Sequence, residues 1–405
     1  MRCITLLFGF WGLLHCHAQL SDTGVEEGTA DEEFVDLFTT PRTKMAAATS
    51  DFGYNLFRQL AAQDPQTSVF LSPLSISAAL TQLSMGASER AQKLLYRALR
   101  YHTLQDSRLH DTLKDLIFSL QTPAKGFTSA ARVLLSRRLR SNLEFLTAVE
   151  TQYGTRPQLL MGGSRDLKTV NEWFKQQTAG KVDRVLSTPP PRNGGVALVG
   201  AAHFKGKWAT SFSQANRMEP FQTDGGASTQ VVMIQQKHYP IKMGIDSDLS
   251  CTIAQVPMED GVSMYFFLPD EVTKNLTHIE ETLTAEFVQD LSMTLHTVQA
   301  DLMLPLLKLS SSTDLLPLFS GLGLTDWLAD PDLVKITNQA AKLSTVRHKA
   351  IIETAAGGAS SSSDSQAANQ FVFHVDRPFL FLVRDEVSGA LLFIGKVLNP
   401  QDLKK

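Results

Sequence analysis

Apolar side chains set the first rhythm of the chain. Phe52, Leu56 and Leu60 recur one turn apart, a spacing that places them on one face of an α-helix. The short run Val69–Leu71 then reads as a strand, and Ser75 as the N-cap of a second helix reaching Leu83, because a serine hydroxyl can accept from an orphan N–H. Helical spacing continues to about Leu120, gives way to a strand over Ala131–Leu135, and returns over Leu143–Tyr153. Residues 169–179 carry Val170, Trp173 and Phe174 on one side, with Gly180 as the stop.

Beyond this point the chain becomes rich in strands. Val196–Val199, Val231–Ile234, Cys251–Val256, Ser263–Leu268 and Ala300–Leu304 are short β-rich runs separated by Gly, Pro and Asp, with one more helical stretch over residues 278–291. Helices followed by strands predict a mixed α+β fold built on large antiparallel sheets. Residues 355–368 hold Ala, Gly, Ser and Gln with a single Asp and no period. Nothing there can anchor a core, so an exposed loop is expected between two β-like runs.

The N-terminus changes the picture of where the chain works. Arg2 precedes an apolar run from Ile4 to Leu14, and the small residues Cys16 and Ala18 stand where a signal peptidase cuts. Residues 1–18 are therefore expected to be a signal peptide, the run being too short for a membrane span. Cleavage would leave Cys251 as the only cysteine, so the mature chain would hold no internal disulfide and rely on its core. Residues 19–40 carry seven acids, Asp22 to Asp36, and no Lys or Arg. We expect residues 19–45 to form an acidic disordered tail and residues 46–402 a single domain. The full chain has 38 basic and 41 acidic residues. The leader removes one base and the tail holds seven acids, so the remaining body is mildly basic, which outside a cell suggests sulfated polysaccharide rather than nucleic acid.

No chemistry is written in the motifs. The sequence lacks G-x-S-x-G, H-E-x-x-H, C-x-x-C and a phosphate-binding G-K-S/T loop. His203, His238, His348 and His374 stand without metal-ligand spacing, and Ser360–Ser363 lack a base held by a rigid neighbour. Neither catalytic residues, metal nor cofactor is expected. One sequon, Asn275-Leu276-Thr277, predicts a glycan on Asn275.

A family resemblance does emerge. Asn171, Trp173, Thr178, Gly180 and Lys181, then Phe204-Lys205-Gly206-Lys207-Trp208, His348-Lys349-Ala350, Asp376-Arg377-Pro378-Phe379 and Phe393-Ile394-Gly395-Lys396-Val397 with Asn399-Pro400 occur in order from about Phe52 to Pro400. Together they resemble the serpins. The resemblance implies three β-sheets, eight or nine helices and an exposed reactive loop, here 355–370. Inhibitory serpins trap proteases when the cleaved loop inserts into the central sheet as a new strand, with every second side chain beneath it.

Three departures argue against inhibition. The hinge Gly of the family aligns with Gly358, but Ala359 replaces a Thr, Ser360–Ser363 replace alanines, and Ala356 stands where the family has an acid. On insertion Ala359, Ser361, Ser363 and Ser365 would point inward, and each unpartnered hydroxyl would cost roughly 1–3 kcal/mol. Only Ala359–Gln370 separates the hinge from the next apolar run, which is short for a bait loop. Gly200 replaces an Asn that inhibitory relatives carry beneath the sheet near the equivalent of His348.

Further stretches, among them Tyr153-Gly154-Thr155-Arg156-Pro157, Asp246-Ser247-Asp248-Leu249-Ser250-Cys251 and Gly389-Ala390-Leu391-Leu392-Phe393, resemble a secreted, non-inhibitory branch of the family. That likeness implies a monomeric antiangiogenic and neurotrophic factor that binds collagen, heparin or hyaluronan, and cell-surface receptors. It assigns Arg137, Arg138 and Arg140 to glycosaminoglycan and Asp246, Asp248 and Asp290 to collagen. On a strand Asp246 and Asp248 would share a face; without the likeness, Asp-Ser-Asp is turn chemistry. Residues 69–111 would correspond to a receptor-binding region, although their spacing equally suits core helices. A serine protease inhibitor with an unusually short Ser-rich loop, and a carrier of small hydrophobic ligands, are the alternatives.

Overall fold

A computed structural model describes residues 39–190, 195–212, 214–223, 226–271, 276–355 and 371–403. Among these are nine α-helices, four short 3-10 turns and fourteen strands. The first helix, Pro41–Gln63, begins with reciprocal caps. Thr40 Oγ1 accepts from the Thr43 amide at 3.1 Å, and Thr43 Oγ1 accepts from the Thr40 amide at 3.2 Å, satisfying two orphan donors. The helix therefore starts inside the segment expected to be tail, and Met45 is fully buried. The strand at Val69–Leu71 forms as expected. The next helix, Pro73–Ser84, is capped at Ser72 rather than Ser75, since Pro73 occupies its first position. Ser75 lies buried within it.

The central sheet has five strands in the order Lys308–Asp314, Leu343–Thr354, Val196–Gly206, Phe127–Ser136, Gln158–Leu160. Its two middle strands run parallel, with Leu343 opposite Val196 and Thr354 opposite Gly206. Both faces are packed. Leu198, Ala202, Phe204, Val346, Ala350 and Ile352 join the main core, while Ala197, Val199, Ala201 and Ile351 meet Val170 and Phe174 of the helix Ser164–Gln177. A strand buried on both faces reads as a continuous apolar run, which is why only the first part of Val196–Gly206 stood out in the sequence.

The motif residues of the helix Ser164–Gln177 are structural. Asn171 accepts from the Val185 and Leu186 amides, each at 2.9 Å, and donates to the Leu186 carbonyl. Thr178 Oγ1 closes the helix on the Phe174 carbonyl and accepts from the Val182 amide. Arg132 lies 4.5 Å above the Trp173 ring.

The resemblance implies three sheets; hydrogen bonding joins the other two into one network of nine strands. The joint is the 19-residue strand Ser228–Asp246. Its first half pairs with Gln214–Gln222 and its last with Cys251–Pro257, while His296–Pro305 pairs along both. The register shifts between Gln236 and Tyr239, and His238 takes φ +54°. Such a bulge bends a strand and raises its twist, so one strand serves two sheets.

Buried ion pairs tie the layers. Lys125 Nζ meets Asp385 Oδ1 at 2.5 Å, and Lys396 Nζ meets Glu280 Oε1 at 3.2 Å. Lys396 also donates to the Ala61 and Pro65 carbonyls. The expected helix at 278–291 is two, Thr277–Thr282 and Ala285–Thr294, separated at the extended Leu283.

Candidate functional site

Three places collect the residues singled out by sequence. The first is a basic turn. The strand Phe127–Ser136 ends in a 3-10 turn, Arg137–Leu139, and Arg140 follows at φ +46°. Leu139 is buried, whereas Arg137, Arg138 and Arg140 are exposed. The buried leucine anchors the turn and presents three guanidinium groups to solvent, a geometry suited to sulfate and carboxylate oxygens. Arg137 and Arg138 border a surface cleft of about 370 Å³ shared with Met161, Gly162, Asp166 and Pro190. Asp166 is buried, and its carboxylate accepts from the Met161 amide at 3.0 Å and the Gly162 amide at 2.5 Å. The acid is thus occupied by backbone donors, and Arg137 reaches Met161 Sδ at 3.7 Å.

The second place is acidic. Asp246 ends its strand and Cys251 opens the next, directly opposite. Asp246 Oδ1 accepts from the Leu249 amide at 2.9 Å, and Leu249 is buried beneath the turn. The bond closes a local turn over residues 247–250, so Asp246 and Asp248 do not project from one strand face. The turn chemistry describes them correctly. Asp248 is exposed at its tip, and Asp290 is exposed on the helix Ala285–Thr294. This helix delivers the chain into His296–Pro305, whose His296 pairs with Met243; a Cβ on Gly244 would lie 2.8 Å from Leu295 Cδ2. The end of the helix and the acidic turn therefore flank the same strand. Ile245, 77 % exposed, and Met293, 50 % exposed, lie on these two elements as well. Sequence reasoning passed over both; an isoleucine leaving a strand just before an Asp-Ser-Asp turn was the available signal.

The third place lies under the central sheet. His348 stands opposite Gly200 in the parallel pair and is 2 % exposed. Its Nε2 accepts from the Ser72 amide at 3.0 Å, and its Nδ1 lies 3.3 Å from Ser75 Oγ. The imidazole thereby satisfies an N–H at the start of the helix Pro73–Ser84. Burial lowers its pKa from 6.5 to about 3, against a smaller opposing effect of the Gly200 backbone, because desolvation disfavours the charged form. A Cβ on Gly200 would stand 3.0 Å from Ser75 Oγ and 3.2 Å from its carbonyl oxygen. A side chain here would require Ser75 to give by a few tenths of an ångström. Ser75, expected from the sequence to be a helix N-cap, and the backbone amide of Ser72 are instead the partners of His348.

The expected glycosylation site Asn275 and the loop hinge Gly358 and Ala359 lie outside the described residues. Residues 69–111 contribute Leu74, Leu80, Leu83 and Leu95 to the main core. Among the described residues no group of three or more His, Cys, Asp or Glu is placed to hold a metal, and no helix is long and apolar enough to cross a membrane.

Comparison with known proteins gives the family and the fold. The family model described as serpin (serine protease inhibitor) matches residues 47–400. The chain is 39 % identical over 417 residues to pigment epithelium-derived factor of Homo sapiens, covering 99 % of this chain and 100 % of that one. It is 40 % identical over 381 residues to the same factor of Bos taurus, covering 92 % and 91 %. Human thyroxine-binding globulin superposes with a TM-score of 0.79 at 27 % identity, over 89 % of this chain and all of that one.

Proposed function

The chain belongs to the serpin family, and on that premise we propose that it is a secreted, non-inhibitory serpin, an antiangiogenic and neurotrophic signalling factor that binds collagen, glycosaminoglycan and cell-surface receptors. Residues 1–18 act as its export signal, residues 46–402 form one serpin domain, and the body works as a monomer glycosylated at Asn275. Similarity to pigment epithelium-derived factor over nearly the whole chain supports the partner set.

The non-inhibitory part is supported by the loop sequence, which supplies serines where an inserted strand would bury its side chains. The pair Leu343–Thr354 and Val196–Gly206 is joined without interruption apart from one shift near Leu343, and is packed with apolar residues on both faces. An inserted strand would have to part this pair and set the side chains of residues 359–365 against those faces. At alternate positions the chain supplies Ser361, Ser363 and Ser365, and three hydroxyls without partners would cost about 3–9 kcal/mol together. That opposes most of what a new strand gains.

The basic turn and the acidic turn provide the two matrix surfaces. Arg137, Arg138 and Arg140 take the anionic polysaccharide; Asp246, Asp248 and Asp290 take the lysines and arginines of collagen. Incubation of the mature chain with equimolar trypsin, chymotrypsin and elastase, followed by denaturing electrophoresis, tests the proposal. Cleavage without a protease adduct is expected. A denaturant-resistant covalent complex would return the chain to the inhibitors.

A further inference from the structure

The basic turn is not alone on its side of the molecule. A strap of eight residues, Lys335–Lys342, runs from the last helical turns into the central strand Leu343–Thr354 and contains no acid. Four hydrogen bonds fix its course. The Lys335 amide donates to the Gly86 carbonyl at 3.0 Å, and the Asn142 amide to the Ile336 carbonyl at 2.6 Å. Thr337 Oγ1 donates to the Leu139 carbonyl, and the Val196 amide to the Lys342 carbonyl at 2.9 Å. Two of these bonds go directly to the segment Leu139–Asn142 that carries the arginine turn. At the other end the Ser136 amide donates to the Gly195 carbonyl at 2.8 Å, and a Cβ on Gly195 would lie 2.5 Å from the Lys342 carbonyl oxygen. The strap is therefore held against the turn at both of its ends.

Its burial pattern matches a presented charge. Ile336 and Thr337 are buried and act as anchors, while Lys335, Asn338, Gln339, Ala340 and Lys342 are exposed. The nearest acid preceding it, Asp332, is engaged by the Ser88 hydroxyl at 2.5 Å. Five cations from two distant parts of the sequence thus border one rigid seam of backbone hydrogen bonds, with neutral polar side chains between the two lysines. Long cations on fixed backbone concentrate a positive field, and a field drawn out along a seam fits a linear polyanion better than a compact one.

The geometry points to Lys335 and Lys342 as the second half of the glycosaminoglycan site, so that one sulfated chain lies across both the arginine turn and the strap. This extends the polysaccharide part of the proposed function and rests on it. The arginine turn gives bidentate contacts, and the lysines lengthen the track, so that chains longer than the turn alone can engage are preferred.

The test uses the full mature chain and immobilised heparin. Three variants are compared with the unsubstituted protein: Lys335→Gln with Lys342→Gln, the triple Arg137→Ala, Arg138→Ala, Arg140→Ala, and a control, Lys237→Gln with Lys308→Gln, which removes two exposed lysines elsewhere. Unfolding temperature verifies that each folds, and a sulfopropyl column reports non-specific charge. The strap variant is expected to elute from heparin at lower salt, with a shift roughly two-thirds that of the triple variant in proportion to charge removed, and the control to shift on the sulfopropyl column only. Equal heparin shifts for strap and control would overturn the inference while leaving the arginine turn intact. If the triple variant also eluted unchanged, the polysaccharide reading itself would fail and the inference with it.

Discussion

Buried His348 makes the closed sheet sensitive to acid, and the size of the effect follows from its surroundings. In the folded chain it is held neutral down to about pH 3, whereas unfolding returns it to about 6.5. Between these values the unfolded state binds a proton that the native state refuses, so stability falls as the pH is lowered from 6.5 towards 3 and is unaffected above that window. At pH 5 the loss relative to pH 7 is about 2 kcal/mol, taking one proton of linkage at about 1.4 kcal/mol per pH unit over the relevant interval. His348→Gln removes the titrating group while placing an amide oxygen where Nε2 accepts from the Ser72 amide. The variant should be less stable at pH 7, by about 1 kcal/mol for an imperfect replacement of a buried bond. It should also lose less on acidification. Urea denaturation of both proteins at pH 7 and pH 5 measures this directly, the difference between the two pH effects isolating His348 from the other histidines. Parallel pH dependences would mean that His348 is protonated in the native state, and the argument from burial would be wrong.

Other consequences follow from the same contacts. Gly200→Asn should destabilise by about 1–3 kcal/mol, since any Cβ crowds Ser75 and the helix must give way; an unchanged urea midpoint would show room that the geometry denies. Lys125→Ala should cost about 3 kcal/mol by stranding the buried Asp385 carboxylate, although Ser388 still donates to it from its amide and hydroxyl, and this is read from the same denaturation curves. Asp246→Asn with Asp248→Asn and Asp290→Asn keeps an acceptor for the Leu249 amide but removes three charges. Taken at about 0.2–1 kcal/mol each, collagen affinity should fall roughly tenfold in surface plasmon resonance while heparin elution stays unchanged; loss of both would argue against separate faces.

Much of the fold was legible because its elements have clean periods. Leu143–Tyr153 and Val69–Leu71 have the boundaries the sequence predicts, as each pairs a simple apolar rhythm with a clear stop. The helix at Pro41 was less visible because Met45–Ala48, a few residues beyond the acidic stretch, carry no strong period. The cap at Ser72 was missed for a different reason. Ser75 fits the pattern for a cap, but Pro73 in the first helical position already sets the cap at Ser72 and leaves Ser75 inside to meet His348. Local pattern likewise hid the joining of two sheets, since nothing in Gln236–Tyr239 announces a bulge. At the candidate sites, residue types were recoverable but company was not. The three arginines fall within four residues of sequence, whereas Lys335 and Lys342 lie about two hundred residues away and are brought to them by backbone hydrogen bonds that no spacing rule records. Asp246 and Asp248 show the converse: the turn is local and was readable as a turn, while the neighbouring Asp290 depends on how the helix Ala285–Thr294 enters its strand.

On the function proposed above, the loop between Thr354 and Phe371 stays outside the central sheet when it is cut. Nicking that loop with a limiting amount of elastase and recording thermal unfolding before and after tests it most directly. An unfolding temperature that stays within a degree or two is the predicted result, because a cut loop that remains outside adds no strand to the sheet. A rise of tens of degrees on nicking would mean that Ser361, Ser363 and Ser365 are accommodated beneath the sheet, and would contradict the account.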